Sequence, residues 1–203
     1  MHILYICALF ALPFWNSHES QTPAGHAECR LQCDASFALK NQQTEPIPTN
    51  PTVFKKSPYA KLLIKSKINA SACYIDIKKW SHGKHESNES EFVFQFKAAP
   101  IQAMMLCETN TAPLPVLRDA VLGNVQKIVP DIQITHQEYR SVNGQNVLQL
   151  EMTGTVQSYP IVYWGYLASG STGATTWLAY GTQELIAQHK SDVETLMNGL
   201  VKQ

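Results

Sequence analysis

The chain has 203 residues, 44% hydrophobic and 16% charged, with 16 basic and 16 acidic side chains. That length supports one domain with its own core, and the composition excludes a chain that stays disordered throughout. A formal net charge of zero gives a polyanion no global attraction, so no nucleic-acid partner is expected.

In chain order, Ile3 to Trp15 comes first and is almost wholly apolar. It is too short to cross a bilayer but fits the core of a signal peptide. Residues 1–20 therefore read as a signal peptide, with cleavage near Ser17–Ser20 or as late as Ala27. No stable membrane span is expected. Residues 21–57 are polar, carry Pro46, Pro48 and Pro51, and read as a tail or linker; 58–203 reads as the folded domain. Cys7 would leave with the signal. In an oxidising compartment the remaining thiols pair most simply as Cys29–Cys33 and Cys73–Cys107, and buried free thiols are the open alternative.

Within the domain, Leu62–Ile64 and Cys73–Ile77 read as short strands, and Lys78–Ser90 as a charged loop. Phe92, Phe94 and Phe96 alternate with polar or smaller residues, which predicts a strand with one buried face. Pro100 breaks that run, and Ile101–Glu108 returns as a second strand. Pro113 and Pro115 suit a first helical turn; Leu117, Val121, Val125 and Ile128 then recur at helical spacing until Pro130. A strand follows from Ile132 to Val142. Asn143-Gly144 is a strong hairpin signal, because a type I′ turn needs positive φ at both central residues. Leu148, Leu150 and Met152 alternate on the return. Gln157-Ser158 turns into Ile161–Ala168, and Gly170–Gly173 turns into Thr175–Tyr180. A helix then starts at Thr182 as N-cap, with an apolar stripe from Leu185 through His189 to Leu200.

The motifs Val142-Asn143-Gly144, Gly154-Thr155-Val156, Tyr163-x-Gly165-Tyr166 and Tyr180-Gly181-Thr182-Gln183-Glu184-Leu185, closed by Leu196-Met197-Asn198-Gly199-Leu200, resemble the PsbP-like superfamily. More narrowly, the chain is similar to small uncharacterised bacterial exported members. The resemblance spans roughly Pro58 to Val201. It implies an α+β fold, an α/β/α sandwich with a central antiparallel sheet of about six strands and two main helices. It also implies an exported protein, periplasmic or secreted, that works by binding, with a protein as the expected partner and no cofactor.

The candidate chemistry is sparse. His82 and His85 could hold a metal with Glu86 or Glu89, although a solvated loop is the simpler reading. His136 and His189 could form an acid/base pair, against which His189 lies on an apolar stripe and reads more simply as a core histidine. Ser169–Gly173 has the residues of a glycine loop but precedes no helix, so it fails the context for phosphate binding. Tyr163, Trp164, Tyr166 and Trp177 concentrate on two neighbouring strands; packing in the core explains them most simply, and a ligand or partner surface is the sharper expectation. A non-catalytic binding or accessory protein is thus favoured. An immunity or effector protein acting on another secreted protein, and a secreted metal-dependent hydrolase using the histidines, are the alternatives.

Overall fold

The computed structural model describes residues 50–83 and 91–203. The last four long strands form its centre: β7 (Gln133–Val142), β8 (Gln145–Val156), β9 (Tyr159–Gly170) and β10 (Gly173–Thr182). Tight turns join them in sequence, so each is antiparallel to the next. The turn at Asn143-Gly144 has φ of 50° and 80°, the I′ geometry that the hairpin signal predicts. The turn at Gln157-Ser158 has the same sign pattern, φ 49° and 70°, without a glycine.

The sheet is larger than the expected six antiparallel strands. β10 continues into β6 (Gln102–Glu108), β5 (Phe92–Phe96) and β4 (Trp80–Gly83), and β7 is flanked by β1 (Thr52–Phe54). That makes eight strands among the described residues, and β1 runs parallel to β7, so the sheet is mixed. β1 lies in the stretch read as linker, and β4 in the stretch read as a charged loop. Neither shows a clean alternation, because an edge strand buries only part of one side. Phe54 packs onto the core, and the main-chain N–H of Asn143 donates to its carbonyl at 3.0 Å.

The remaining short strands do not join this sheet. β2 (Leu62–Lys65) and β3 (Ser71–Ile75) pair with each other, and β3 also pairs with β11 (Leu200–Lys202), giving a second, three-stranded sheet. Leu200 therefore leaves the helical stripe assigned to it and ends as a fully buried strand residue. Gly199 makes this possible, since a Cβ there would stand 2.0 Å from the carbonyl oxygen of Tyr74.

Among the described residues three helices complete the fold, where two main helices were expected. α1 (Leu114–Gln126) buries Leu117, Val121 and Val125 and contacts β9. It ends before Ile128, which is 46% exposed. The predicted terminal helix is broken at His189 (φ −109°, ψ 21°) into α2 (Gln183–Gln188) and α3 (Lys190–Met197). Thr182 caps α2 as the sequence predicts, accepting from the N–H of Leu185. The overall correction is from a sandwich with two main helices to a mostly-β fold.

One face of the large sheet carries the main core. Phe92, Phe94, Phe96, Met105, Trp164, Tyr166 and Trp177 meet Ile64, Cys73 and Ile75 of the small sheet and Ile186, Val193, Leu196 and Met197 of α2 and α3. Leu148, Leu150 and Met152 point the other way, and all are buried. No helix among the described residues is long and apolar enough to cross a membrane, which leaves β-barrels untested.

Candidate functional site

The four aromatic residues offered as a surface are all interior: Trp164 and Tyr163 are 2% and 3% exposed, and Tyr166 and Trp177 are fully buried. Trp164, Tyr166 and Trp177 belong to the core under the small sheet and α2–α3, while Tyr163 is buried on the opposite face of β9, across from Met152. Tyr163 stacks on Tyr180 with ring centres 5.4 Å apart, and Trp177 meets Phe94 edge-on at 4.7 Å. Burial raises the Tyr163 phenol well above its usual range and pushes Tyr166 up to about 12.

His82 is exposed on β4, and its ring lies 6.5 Å from Phe94. His85, Glu86 and Glu89 lie outside the described residues, as do Cys29 and Cys33. Among the described residues, no group of three or more His, Cys, Asp or Glu could hold a metal ion. His136 and His189 belong to different surroundings: His136 is exposed on β7, while His189 packs on Phe96 at 5.1 Å with Nδ1 3.7 Å from Asp192.

Cys73 and Cys107 are free buried thiols that share one core, although they sit on different sheets. Burial pushes Cys107 up to about 11, with a side-chain bond from Ser66 working against it. Burial raises Cys73 further still, with Cys107 adding to the effect. Both are protonated at neutral pH and poor nucleophiles.

Sequence reasoning passed over the residues that carry most of the buried polar chemistry. Arg140 of β7 has 11% of its side chain exposed. It bonds Glu138, the Tyr166 hydroxyl at 3.1 Å and Glu194 of α3 at 2.8 Å, and its guanidinium stands 4.5 Å over the Phe54 ring. Burial works against its charge, but these bonds outweigh it and hold the guanidinium above its usual value. Tyr166 passes the chain on to Asn198 at 2.7 Å. Asn143 works as a second junction: its Nδ2 donates to the carbonyls of Asn198 and Leu200 at 2.8 and 2.7 Å, and its Oδ1 accepts from the Lys56 N–H at 2.8 Å. A lone Arg in a strand and the Asn of a turn carry no periodic signal of such a role.

One open cleft of about 660 Å³ lies at the end of the long strands. Its wall combines the Asn143–Asn146 turn, Ser169 and Gly170 of β9, Lys202 of β11, and the Thr111–Leu114 approach to α1. The lining holds amides, hydroxyls, one ammonium and apolar carbon, without a carboxylate, imidazole or thiol. Such a wall can orient a ligand or a peptide by hydrogen bonds.

No protein-family profile and no curated protein sequence matches the chain. In fold, the chain is similar to cyanobacterial PsbP from Synechocystis, with a TM-score of 0.52 and 12% identity over 72% of this chain and 95% of that one. At that identity the likeness concerns the fold alone, and it agrees with the PsbP-like resemblance read from the sequence, though not with the six-stranded sandwich expected from it. A Pseudomonas aeruginosa protein of unknown function aligns at a TM-score of 0.44, with 12% identity over 70% of this chain and 96% of that one, too low to support an argument.

Proposed function

We propose that this protein is an exported, non-catalytic binding or accessory protein of the PsbP-like kind, akin to the exported bacterial members of that superfamily. Residues 1–20 serve as the signal peptide, with cleavage no later than Ala27, and residues 21–57 lead into the folded domain. The observation that supports the binding role is the placement of polar groups. The Arg140 and Asn143 networks join β1, β7, α3 and β11 to one another, so those groups are committed to holding the fold. What remains accessible in the cleft is a set of hydrogen-bonding groups suited to recognition.

The test combines fractionation of the native organism with N-terminal sequencing and affinity capture. A mature chain beginning between residues 18 and 28 in the exported fraction, with one partner captured in stoichiometric amount, is the expected result. An intact Met1 in the cytosol removes export. Turnover of a substrate without any stable partner removes the binding role.

A further inference from the structure

Neutral net charge conceals a segregation. Between residues 50 and 83 the chain carries seven lysines, all exposed, against one acid, Asp76. Residues 98–203 carry five basic and eight acidic side chains. Lys61 precedes β2 and Lys65 ends it, at one edge of the small sheet, and at the turn that follows, Glu91 accepts from the Ser66 hydroxyl and the Lys67 N–H.

The hydrogen-bond register shows which way β2 faces. Ser66 N–H donates to the Ser71 carbonyl at 2.9 Å. Bonded positions alternate along an antiparallel pair, so Ile64 and Leu62 also turn their main chain toward β3. Leu63 and Lys65 turn theirs outward, and among the described residues no strand lies beyond them. Ile64 is buried, so the side chains of Lys61, Leu63 and Lys65 stand on the outer face. Next to them, Tyr74 lies opposite Leu63, with the Lys56 ammonium 4.6 Å over its ring. On the inner side Leu62 is 38% exposed at this edge. Lys61 and Lys65 have no ion-pair partner among the described residues.

We propose that the β2 edge is a docking site for an extended acidic segment of a partner protein, which adds as a fourth strand to the small sheet. This rests on the binding role proposed above and names its surface. The outward N–H and C=O groups of Leu63 and Lys65 supply the main-chain pairing. Alternation of the added strand places acidic side chains against Lys61 and Lys65 and apolar ones beside Leu62. Charge complementarity selects the partner, and the exposed lysines at this edge keep the sheet from pairing with a second copy of itself.

The probe is a fluorescein-labelled octapeptide alternating Glu and Val, followed by anisotropy with the full chain at low salt. Saturable binding that weakens with added salt is expected. The Lys61→Glu/Lys65→Glu variant should bind about tenfold more weakly or worse, since two cross-strand attractions become repulsions. Leu63→Pro removes an outward N–H and no ladder bond within the sheet, so it should keep the circular dichroism spectrum and lose binding. The fully N-methylated peptide, equal in charge, should not bind. Peptide binding that is indifferent to N-methylation overturns strand addition. Binding to phosphatidylglycerol vesicles with none to the peptide overturns it in favour of a membrane surface. A native partner held equally well by the double variant overturns the edge assignment while leaving the binding role intact.

Discussion

Gln149 sits at the centre of β8 with no exposure, and among the described residues neither its Oε1 nor its Nε2 has a hydrogen-bond partner. Across the sheet its neighbours are Glu138 and Tyr166, whose Oε1 and hydroxyl respectively are engaged by Arg140. A buried polar group without a partner costs about 1–3 kcal/mol. Gln149→Met keeps the side-chain length and should raise stability by about 1 kcal/mol or more in thermal unfolding; a destabilised variant would disprove the orphaned amide. Cys107 gives a pH dependence of definite sign. Its folded value is about 11 against an ordinary thiol value of 9.0. A raised value adds stability that is complete below 9.0 and lost as pH climbs toward 11. Urea titrations of the reduced protein at stepped pH should show that loss, and Cys107→Ser should reduce it, leaving the part that Cys73 contributes. A chain with Cys73 and Cys107 joined would show no such titration.

Local chemistry decides where the elements stop, and packing decides what they pair with. Of the three two-residue hairpins that join the long strands, two have positive φ at both central residues, yet only Asn143-Gly144 has the residues that suit it. Gln157 and Ser158 hold φ of 49° and 70° with side chains that disfavour it, under the demand for right-handed twist between β8 and β9. Ser158→Gly relieves about 1–2 kcal/mol of left-handed strain against about 0.5–1 kcal/mol lost to a freer unfolded chain, so it should stabilise the protein in chemical denaturation. A loss of stability would mean the serine side chain contributes more than its backbone costs. The broken terminal helix follows the same logic. The stripe from Leu185 to Leu196 is continuous in sequence, but His189 leaves helical dihedrals, its ring packs on Phe96, and a new helix begins at Lys190. No periodicity reveals that break, because the stripe continues across it.

At the scale of the whole molecule, the small sheet is closed from the far end of the chain. β3 lies between β2, its sequence neighbour, and β11, which arrives from the C-terminus and buries Leu200. Deleting residues 200–203 should cost about 2–4 kcal/mol through Leu200 alone. It should also strip hydrogen-exchange protection from Ser71–Ile75 while β8 and β9 stay protected. Unchanged protection in β3 would mean that β11 contributes nothing to the small sheet. The four long strands, their turns, the Thr182 cap and the first helix were legible in the sequence, because alternation, helical spacing and turn residues act between neighbours a few positions apart. The eighth, parallel strand at Thr52–Phe54 and the second sheet were not. Those depend on which surfaces meet across distant stretches of the chain, as Thr52 meets Arg140 and Cys73 meets Leu200, and a residue's own pattern is the same whether its face meets water or another layer. The docking edge shows both sides: the run of lysines is written in the chain, but only the fold leaves β2 outermost with its main chain turned toward solvent.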